Sequence, residues 1–276
     1  AWAGASMFAG AFYSIYMLRH LKLSYSLVAV FTNITLLTTM VGYAFWGSVT
    51  QRFGNRPFIQ LLSVPAALVP FLWGLTDHTN YPVLITISSV VGGLCGSGIS
   101  VAMSSLLYKT IPQGREVPEY FVLWTCFNTL GATTGPLLGG LFAQRLTSAQ
   151  VDVLGVQVSG MQLLFATGGL LMLFPIALSL LLEETQAASP MYVLGQFRGN
   201  LFSFAYNSAL YGTTRQDEKR ANRLRALGRS RSPLALSALM EGLRDASPAV
   251  RQGAAEGLGE SGLSEGLEPL VSALED

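Results

Sequence analysis

Apolar residues fall into six long runs separated by short polar stretches, at roughly 1–18, 26–46, 57–76, 82–108, 119–143 and 161–182. Each run is close to the ~20 residues that a helix needs to cross about 30 Å of hydrocarbon. No Asp, Glu, Lys, Arg or His lies deep inside any of them. Backbone in lipid must satisfy its own N–H and C=O groups, so uncharged runs of this length predict six spanning helices over 1–182.

After Leu182 the pattern changes. Leu194, Phe197, Leu201, Phe204 and Ser208 recur at three- and four-residue spacing, interrupted by Gln196, Arg198, Asn200 and Asn207. This predicts an amphipathic linker lying at the membrane interface over 183–212, with Ser189-Pro190 as cap and first-turn proline. A seventh span is the alternative. Over 213–276 the chain resembles itself at a spacing of 31 residues. Leu227, Gly228, Ser230, Leu236, Leu239, Leu243 and Asp245 recur as Leu258, Gly259, Ser261, Leu267, Leu270, Leu274 and Asp276. Leucine-rich helical spacing at this period signals a two-helix repeat. Ser247-Pro248 caps a helix with Val250, Ala254 and Leu258 on one stripe, and the run from Asp245 to Gly259 resembles a short HEAT-type repeat. A simple helical hairpin is the bland alternative. Stacked repeats generally need three or more units, so the repeat is expected to be truncated.

Composition sharpens the division. The chain has 276 residues, is 50% hydrophobic and 12% charged, and has a net charge of +1. Residues 1–182 hold seven Lys/Arg and four Asp/Glu, whereas the last 94 hold ten and twelve. One region suits lipid and the other water. The near-zero net charge and the lack of a basic, aromatic-interleaved face or zinc-type spacing exclude nucleic acid as a supported partner. Cys95 and Cys126 both fall in apolar runs and read as small buried hydrophobes, with no metal or cofactor implied. Phosphate-binding glycine loops and nucleophile elbows are missing, and nothing argues for an enzyme. Arg19, Lys22 and Arg145 fall on one side of the membrane. Arg52, Arg56, Lys109, Arg115 and the Arg-rich stretch after Leu182 fall on the other, which is therefore the expected cytoplasmic side.

Between the second and third runs stands Gly47-Ser-Val-Thr-Gln51-Arg52-Phe53-Gly54-Asn55-Arg56, expected to be a short polar turn. It resembles the loop signature of the major facilitator superfamily, usually read G-x-x-x-D-R-x-G-R-R. Gly47, Arg52, Gly54 and Arg56 match, whereas Gln51 replaces the family's acid and Asn55 the first of its closing basic pair. Any tight basic loop between spans is the bland alternative. Gly131-x-x-x-Gly135-Pro136-x-x-Gly139-Gly140 in the fifth run resembles the glycine-proline motif that facilitator exporters carry in the fifth helix of their first half. Exporter status does not carry over, but proline and glycines here imply helix bending and close packing.

The resemblance implies an all-α fold: the C-terminal six-helix half of a 12-helix facilitator, preceded by an N-terminal half outside this sequence and followed by an α-solenoid HEAT-like fragment. It implies a secondary active transporter that moves a small solute by alternating access. Its HEAT-like module would be cytoplasmic and serve regulation or a protein partner. Its place would be an integral, multi-pass position in a cell membrane, with the bacterial inner membrane expected. A membrane-anchored scaffold or receptor presenting the repeat is the competing class. Uncharged polar and aromatic side chains sharing helix faces are the cavity candidates. Tyr13 and Tyr16 lie on one face of the first run with Trp2 and Ser6; Asn33 is the most polar group in the second; Trp124 and Asn128 line one face of the fifth. Helix packing is the alternative for each. In the fourth run Gly92 with Gly96, and Gly93 with Ser97, Ser100 and Ser104, form small-residue rows that suit packing or a flexible gating helix. Seven basic residues between Arg215 and Arg231 suit either anionic lipid or the solvated first helix of the repeat.

Overall fold

The computed structural model describes residues 1–111, 117–146, 151–153, 156–182, 184, 188–196, 201–214, 216–267 and 270–271; among these, the side chains of Ser48, Gln51, Arg52 and a few others are outside the description. The chain divides into two compact units, Ala1–Ala187 and Ala188–Asp276.

In the first unit, helix α1 (Trp2–Gly10) is followed by a single turn, α2 (Tyr13–Ile15), and a π-helical turn over Tyr16–His20. The first apolar run is thus helical in pieces rather than one regular helix. At the break the Phe12 N–H donates to the Ala9 carbonyl three residues back, tightening the spiral before the π turn widens it. Helix α3 (Tyr25–Phe53) begins at Ser24, whose hydroxyl accepts from the Leu27 N–H. Helices α4 (Arg56–Gly74) and α5 (Tyr81–Thr110) each carry proline in the first turn, where no N–H partner is lost. Helix α6 (Val117–Leu146) runs unbroken through Pro136. A small antiparallel hairpin, β1 (Val151–Val153) with β2 (Val156–Val158), precedes α7 (Gly160–Leu171) and α8 (Leu173–Leu180). Ser159 and Gln162 form a reciprocal capping box at the start of α7.

Among the described residues, Tyr25–Gly47, Arg56–Gly74, Tyr81–Thr110 and Gly160–Leu180 are long and apolar enough to cross a membrane. Helix α6 has the length, but Glu119, Asn128 and the threonines 125, 129, 133 and 134 make it more polar. Helix α5 packs on both α3 and α4, α4 also meets α7 and α8, and α1 packs on α6 and α7. The core gathers Phe8, Tyr16, Phe31, Trp73, Ile85, Leu164 and Phe165. Its outside is apolar too: Leu36, Leu37 and Met40 on α3, Leu123, Phe127 and Leu130 on α6, and Leu173, Phe174 and Leu180 on α8 are exposed. Lipid solvates such an exterior, so close backbone approach rather than water exclusion must hold the bundle. Small residues supply that approach. A Cβ on Gly135 would come within 2.5 Å of the Gly4 carbonyl, and one on Gly139 would overlap the Phe8 carbonyl. Gly93 and Ser97 of α5 face Thr38 and Gly42 of α3 in the same way, while Gly96 faces open space. Cys95 is buried as expected, but Cys126 is exposed on α6.

The second unit contains α9 (Pro190–Gln196), α10 (Leu201–Thr213), α11 (Asp217–Arg229), α12 (Leu236–Leu243) and α13 (Pro248–Ser261). Short 3₁₀ turns at Pro233–Ala235 and Ser264–Gly266 occupy equivalent places 31 residues apart. Helices α11 and α13 lie side by side, so close that a Cβ on Gly228 would overlap the Gly257 backbone and one on Gly253 would come within 2.7 Å of Ala221. The ion pairs Arg225–Glu256 and Arg229–Glu260 join equivalent positions of the two. Leu274 and Asp276 of the repeat lie outside the described residues.

Helix α10 packs on α11: Asn207 Oδ1 accepts from Arg223 at 3.0 Å, and the Arg220 guanidinium reaches both Tyr211, at 3.3 Å, and Asp245, at 2.6 Å. Phe204 and Asn207, expected on a helix lying in the membrane interface, are buried within this unit, whereas Leu194 is exposed. Four of the seven basic residues are likewise engaged within this unit: Arg220, Arg225 and Arg229 have partners inside the repeat, and Arg223 has one on α10.

Candidate functional site

The signature stretch is mostly helix. Helix α3 continues to Phe53, so the turn between α3 and α4 is reduced to Gly54 and Asn55. Gly54 has φ 88° and ψ 174°, a conformation essentially restricted to glycine, which explains this position of the motif. Beneath the turn Trp46, Phe53 and Phe58 form a buried aromatic cluster, with ring centroids of Trp46 and Phe58 5.5 Å apart. The Trp46 indole N–H donates to the Leu94 carbonyl on α5 at 2.9 Å. Gly47 is helical and faces open space. The side chains of Gln51 and Arg52 lie outside the described residues.

An acid reaches the turn from elsewhere. Glu184, beyond α8, accepts from the backbone N–H groups of Asn55 and Arg56, both at 2.8 Å, and from Asn55 Nδ2 and Lys109 Nζ, both at 3.1 Å. Asn55 offers no side-chain cap of its own, so the Glu184 carboxylate caps the positive end of α4. Burial alone would raise the pKa of this carboxyl. The bonds from the Arg56 N–H, Lys109 and the Asn55 N–H outweigh that and hold it below the ordinary glutamate value. Asn55 is fully buried, and its Oδ1 and the Arg56 Nε have no hydrogen-bond partner among the described residues.

The cavity candidates fall into separate groups: Tyr13 and Tyr16 share Trp73 and Phe165, and Trp124 and Asn128 are neighbours on α6. Tyr13 stacks on Trp73 with centroids 4.4 Å apart, and the buried Tyr16 donates its hydroxyl to the Thr76 carbonyl at 2.6 Å. Both thus belong to the packing of α4 and α7 around the first helices rather than to an open face. Asn33 is exposed on α3. Trp124 and Asn128 are half-buried on α6, where Asn128 Nδ2 donates back to the Trp124 carbonyl at 3.1 Å. Gly131, Gly135 and Gly139 meet α1, and Pro136 leaves the Ala132 carbonyl without its usual helical donor.

An open cleft of about 750 Å³ lies instead along α3 and α5, lined by Tyr43, Ser100, Ser104, Ser105, Tyr108 and Lys109. Ser100 and Ser104 stand out in the sequence as small residues, and Lys109 as a positive charge at the end of an apolar run. Tyr43, Tyr108 and Glu184 carry no sequence signal, because what matters about them is a neighbour on another helix. Among the described residues, no three His, Cys, Asp or Glu side chains converge as a metal site.

The family model described as Major Facilitator Superfamily matches residues 1–215, and that for HEAT repeats matches residues 211–276. An MFS-type transporter, ucsD, of Acremonium sp is 28% identical over 131 residues, covering 48% of this chain and 22% of the relative. Protein ZINC INDUCED FACILITATOR 1 of Arabidopsis thaliana is 30% identical over 101 residues, covering 36% and 20%. Multidrug resistance protein Stp of Mycobacterium tuberculosis is 31% identical over 62 residues, covering 22% and 12%. The matched parts thus span between 12% and 22% of these curated relatives. No solved structure matches. A family match over more than three quarters of the chain, on a bundle with membrane-length apolar helices and a glycine turn at the signature stretch, places this protein in the Major Facilitator Superfamily, with HEAT repeats following its membrane part.

Proposed function

We propose that the chain is the C-terminal six-helix half of a facilitator transporter, which moves a small solute by alternating access with an N-terminal half. The observation that carries this reading is the turn at Gly54-Asn55, where the family signature is held by Glu184 from the far end of the same bundle. Two arginines of the matched signature, Arg52 and Arg56, flank that turn at the expected cytoplasmic face. A carboxylate engaged by a helix N-terminus and a lysine is a latch with two states, engaged and released, which is what a rocking bundle needs at its cytoplasmic end. Names of the matched relatives that include transporter and multidrug resistance agree with transport, and we infer a non-enzymatic role.

The HEAT unit follows the cytoplasmic end of the last span and serves a regulatory or protein-binding role. Relatives from a fungus, a plant and a mycobacterium widen the expected membrane beyond the bacterial inner one. The test is metabolite accumulation in cells that produce the protein or its Arg52→Ala variant at equal folded levels. A solute whose accumulation changes with the native protein and reverts with Arg52→Ala supports transport. Identical profiles in both cases would overturn it in favour of a membrane anchor for the repeat. Labelling a Ser264→Cys variant that lacks the native cysteines, from each side of sealed vesicles, places the HEAT unit.

A further inference from the structure

The cleft along α3 and α5 and the cap on α4 share one side chain. Lys109 lines the cleft and is also bonded to Glu184, and it is the only charged group on the cleft wall among the described residues. Its side chain is 52% exposed whereas that of Glu184 is 10% exposed, so the lysine is the accessible member of the pair. An ammonium carries three donors, of which Glu184 takes one.

The rest of the wall is amphipathic. Tyr43 and Tyr108 present exposed rings. Other hydroxyls on the same helix, those of Ser88, Ser97 and Thr110, donate back to their own helix at Ile85, Leu94 and Leu106. Ser100, Ser104 and Ser105 make no such bond among the described residues. Two aromatic faces, three hydroxyls open to a partner and one cation at the end match a molecule with an apolar body, a few polar groups and a terminal negative charge.

We propose that this cleft binds an organic anion with an aromatic or apolar body, whose acidic group takes Lys109 in competition with Glu184, so that occupancy loosens the cap on α4. This rests on the transporter reading only in treating the anion as the solute. Losing Lys109 leaves Glu184 with its three bonds to Asn55 and Arg56, so the cap weakens without detaching. The anion's charge is thereby reported to the Gly54-Asn55 turn.

The test is equilibrium binding of naphthalene-2-sulfonate and the neutral naphthalene-2-methanol to the full chain in phosphatidylcholine nanodiscs. The sulfonate is expected to bind about tenfold more tightly than the alcohol, the scale of one modest charge contact. Lys109→Gln should abolish this preference while the alcohol still binds, which also shows that the variant is folded. Glu184→Gln should strengthen sulfonate binding by removing the competitor. In the native chain the sulfonate should speed amide exchange at Asn55 and Arg56. Equal affinity for the two probes, or a sulfonate preference that survives Lys109→Gln, would overturn the proposal. Repeating the titration with phosphatidylglycerol in the nanodisc separates sources: displacement of the sulfonate identifies a lipid headgroup as the anion, and undiminished binding identifies a soluble one. Binding is read without transport, so failure here leaves the transporter reading standing, and a chain that moves no solute can still show the competition.

Discussion

Replacing Glu184 by alanine removes four acceptor contacts at once: two backbone N–H groups at 2.8 Å, and Asn55 Nδ2 and Lys109 Nζ at 3.1 Å. A hydrogen bond to a charged group contributes about 1.5–3 kcal/mol, and loss of a helix cap costs about 0.5–2 kcal/mol. The contribution of Lys109, half exposed, is at most about 1 kcal/mol. Water can reach the freed N–H groups at a membrane surface, so the terms do not add fully, and about 2 kcal/mol is the expected loss. Read as local opening, that speeds amide exchange at Asn55 and Arg56 about thirtyfold, by the conversion of 1.4 kcal/mol per decade. The assay is hydrogen exchange by mass spectrometry on the reconstituted chain, with amides in the middle of α5 as an unchanged reference. Glu184→Gln should fall between, because its amide sets a donor against Lys109 or Asn55 Nδ2. Exchange within about threefold of the native rate would mean that Glu184 does not cap α4.

The same cap has an acid limit: because the Glu184 pKa is lowered on folding, its contribution is complete above the ordinary glutamate value of about 4.3 and disappears as pH falls through the lower folded value. Exchange at Asn55 and Arg56, corrected for intrinsic rates, should therefore be flat between about pH 6 and 8 and rise only in acid. Gly54→Ala forces a side chain into φ 88°, ψ 174° and should destabilise the membrane unit by about 1–3 kcal/mol, read as a lowered melting temperature in detergent. The two repeat-equivalent glycines should differ in sign. Gly228→Ala collides with the Gly257 backbone and should cost about 1–3 kcal/mol, whereas Gly259→Ala meets open space and should gain up to about 1 kcal/mol of helix propensity, both by thermal unfolding of the full chain. Arg229→Glu should lower that same transition at low salt, and adding Glu260→Arg should restore it; a difference that persists in high salt would exclude the ion pair as the cause.

What could be read from the sequence follows the physics of each signal. Hydropathy reports the solvent of a helix: α3 to α8 cover the apolar runs from residue 26 onward, although α3 runs on to Phe53, seven residues past its run, and the last run is divided between α7 and α8. It does not report regularity, so the π turn at Tyr16–His20 and the break at Phe12 were invisible, and the face assigned to Tyr13 and Tyr16 assumed an ideal spiral. The polarity of Ser48 to Gln51 suggested a turn, yet at a membrane surface polar residues continue a helix without penalty, and α3 ends only where Gly54 adopts its special geometry. The apolar ring of Phe204 suits lipid or a protein partner equally, and it is buried within the second unit, where α10 packs on α11. Glu184 was illegible for a different reason: its donors lie 128 and 129 residues earlier, and no local pattern announces a contact of that range.

The paired charges of the HEAT unit have a further consequence. Positions 225 and 229 carry arginine, and their equivalents 31 residues on, 256 and 260, carry glutamate. Neighbouring helices are therefore matched by opposite sign rather than by likeness, and the array has a parity. Inserting a single copy of either helix would set arginine against arginine or glutamate against glutamate, whereas copying the pair would keep every junction complementary. Lengthening such a solenoid is thus electrically smooth in steps of two repeats, and a step of one leaves a seam of repulsion where the array parts most readily.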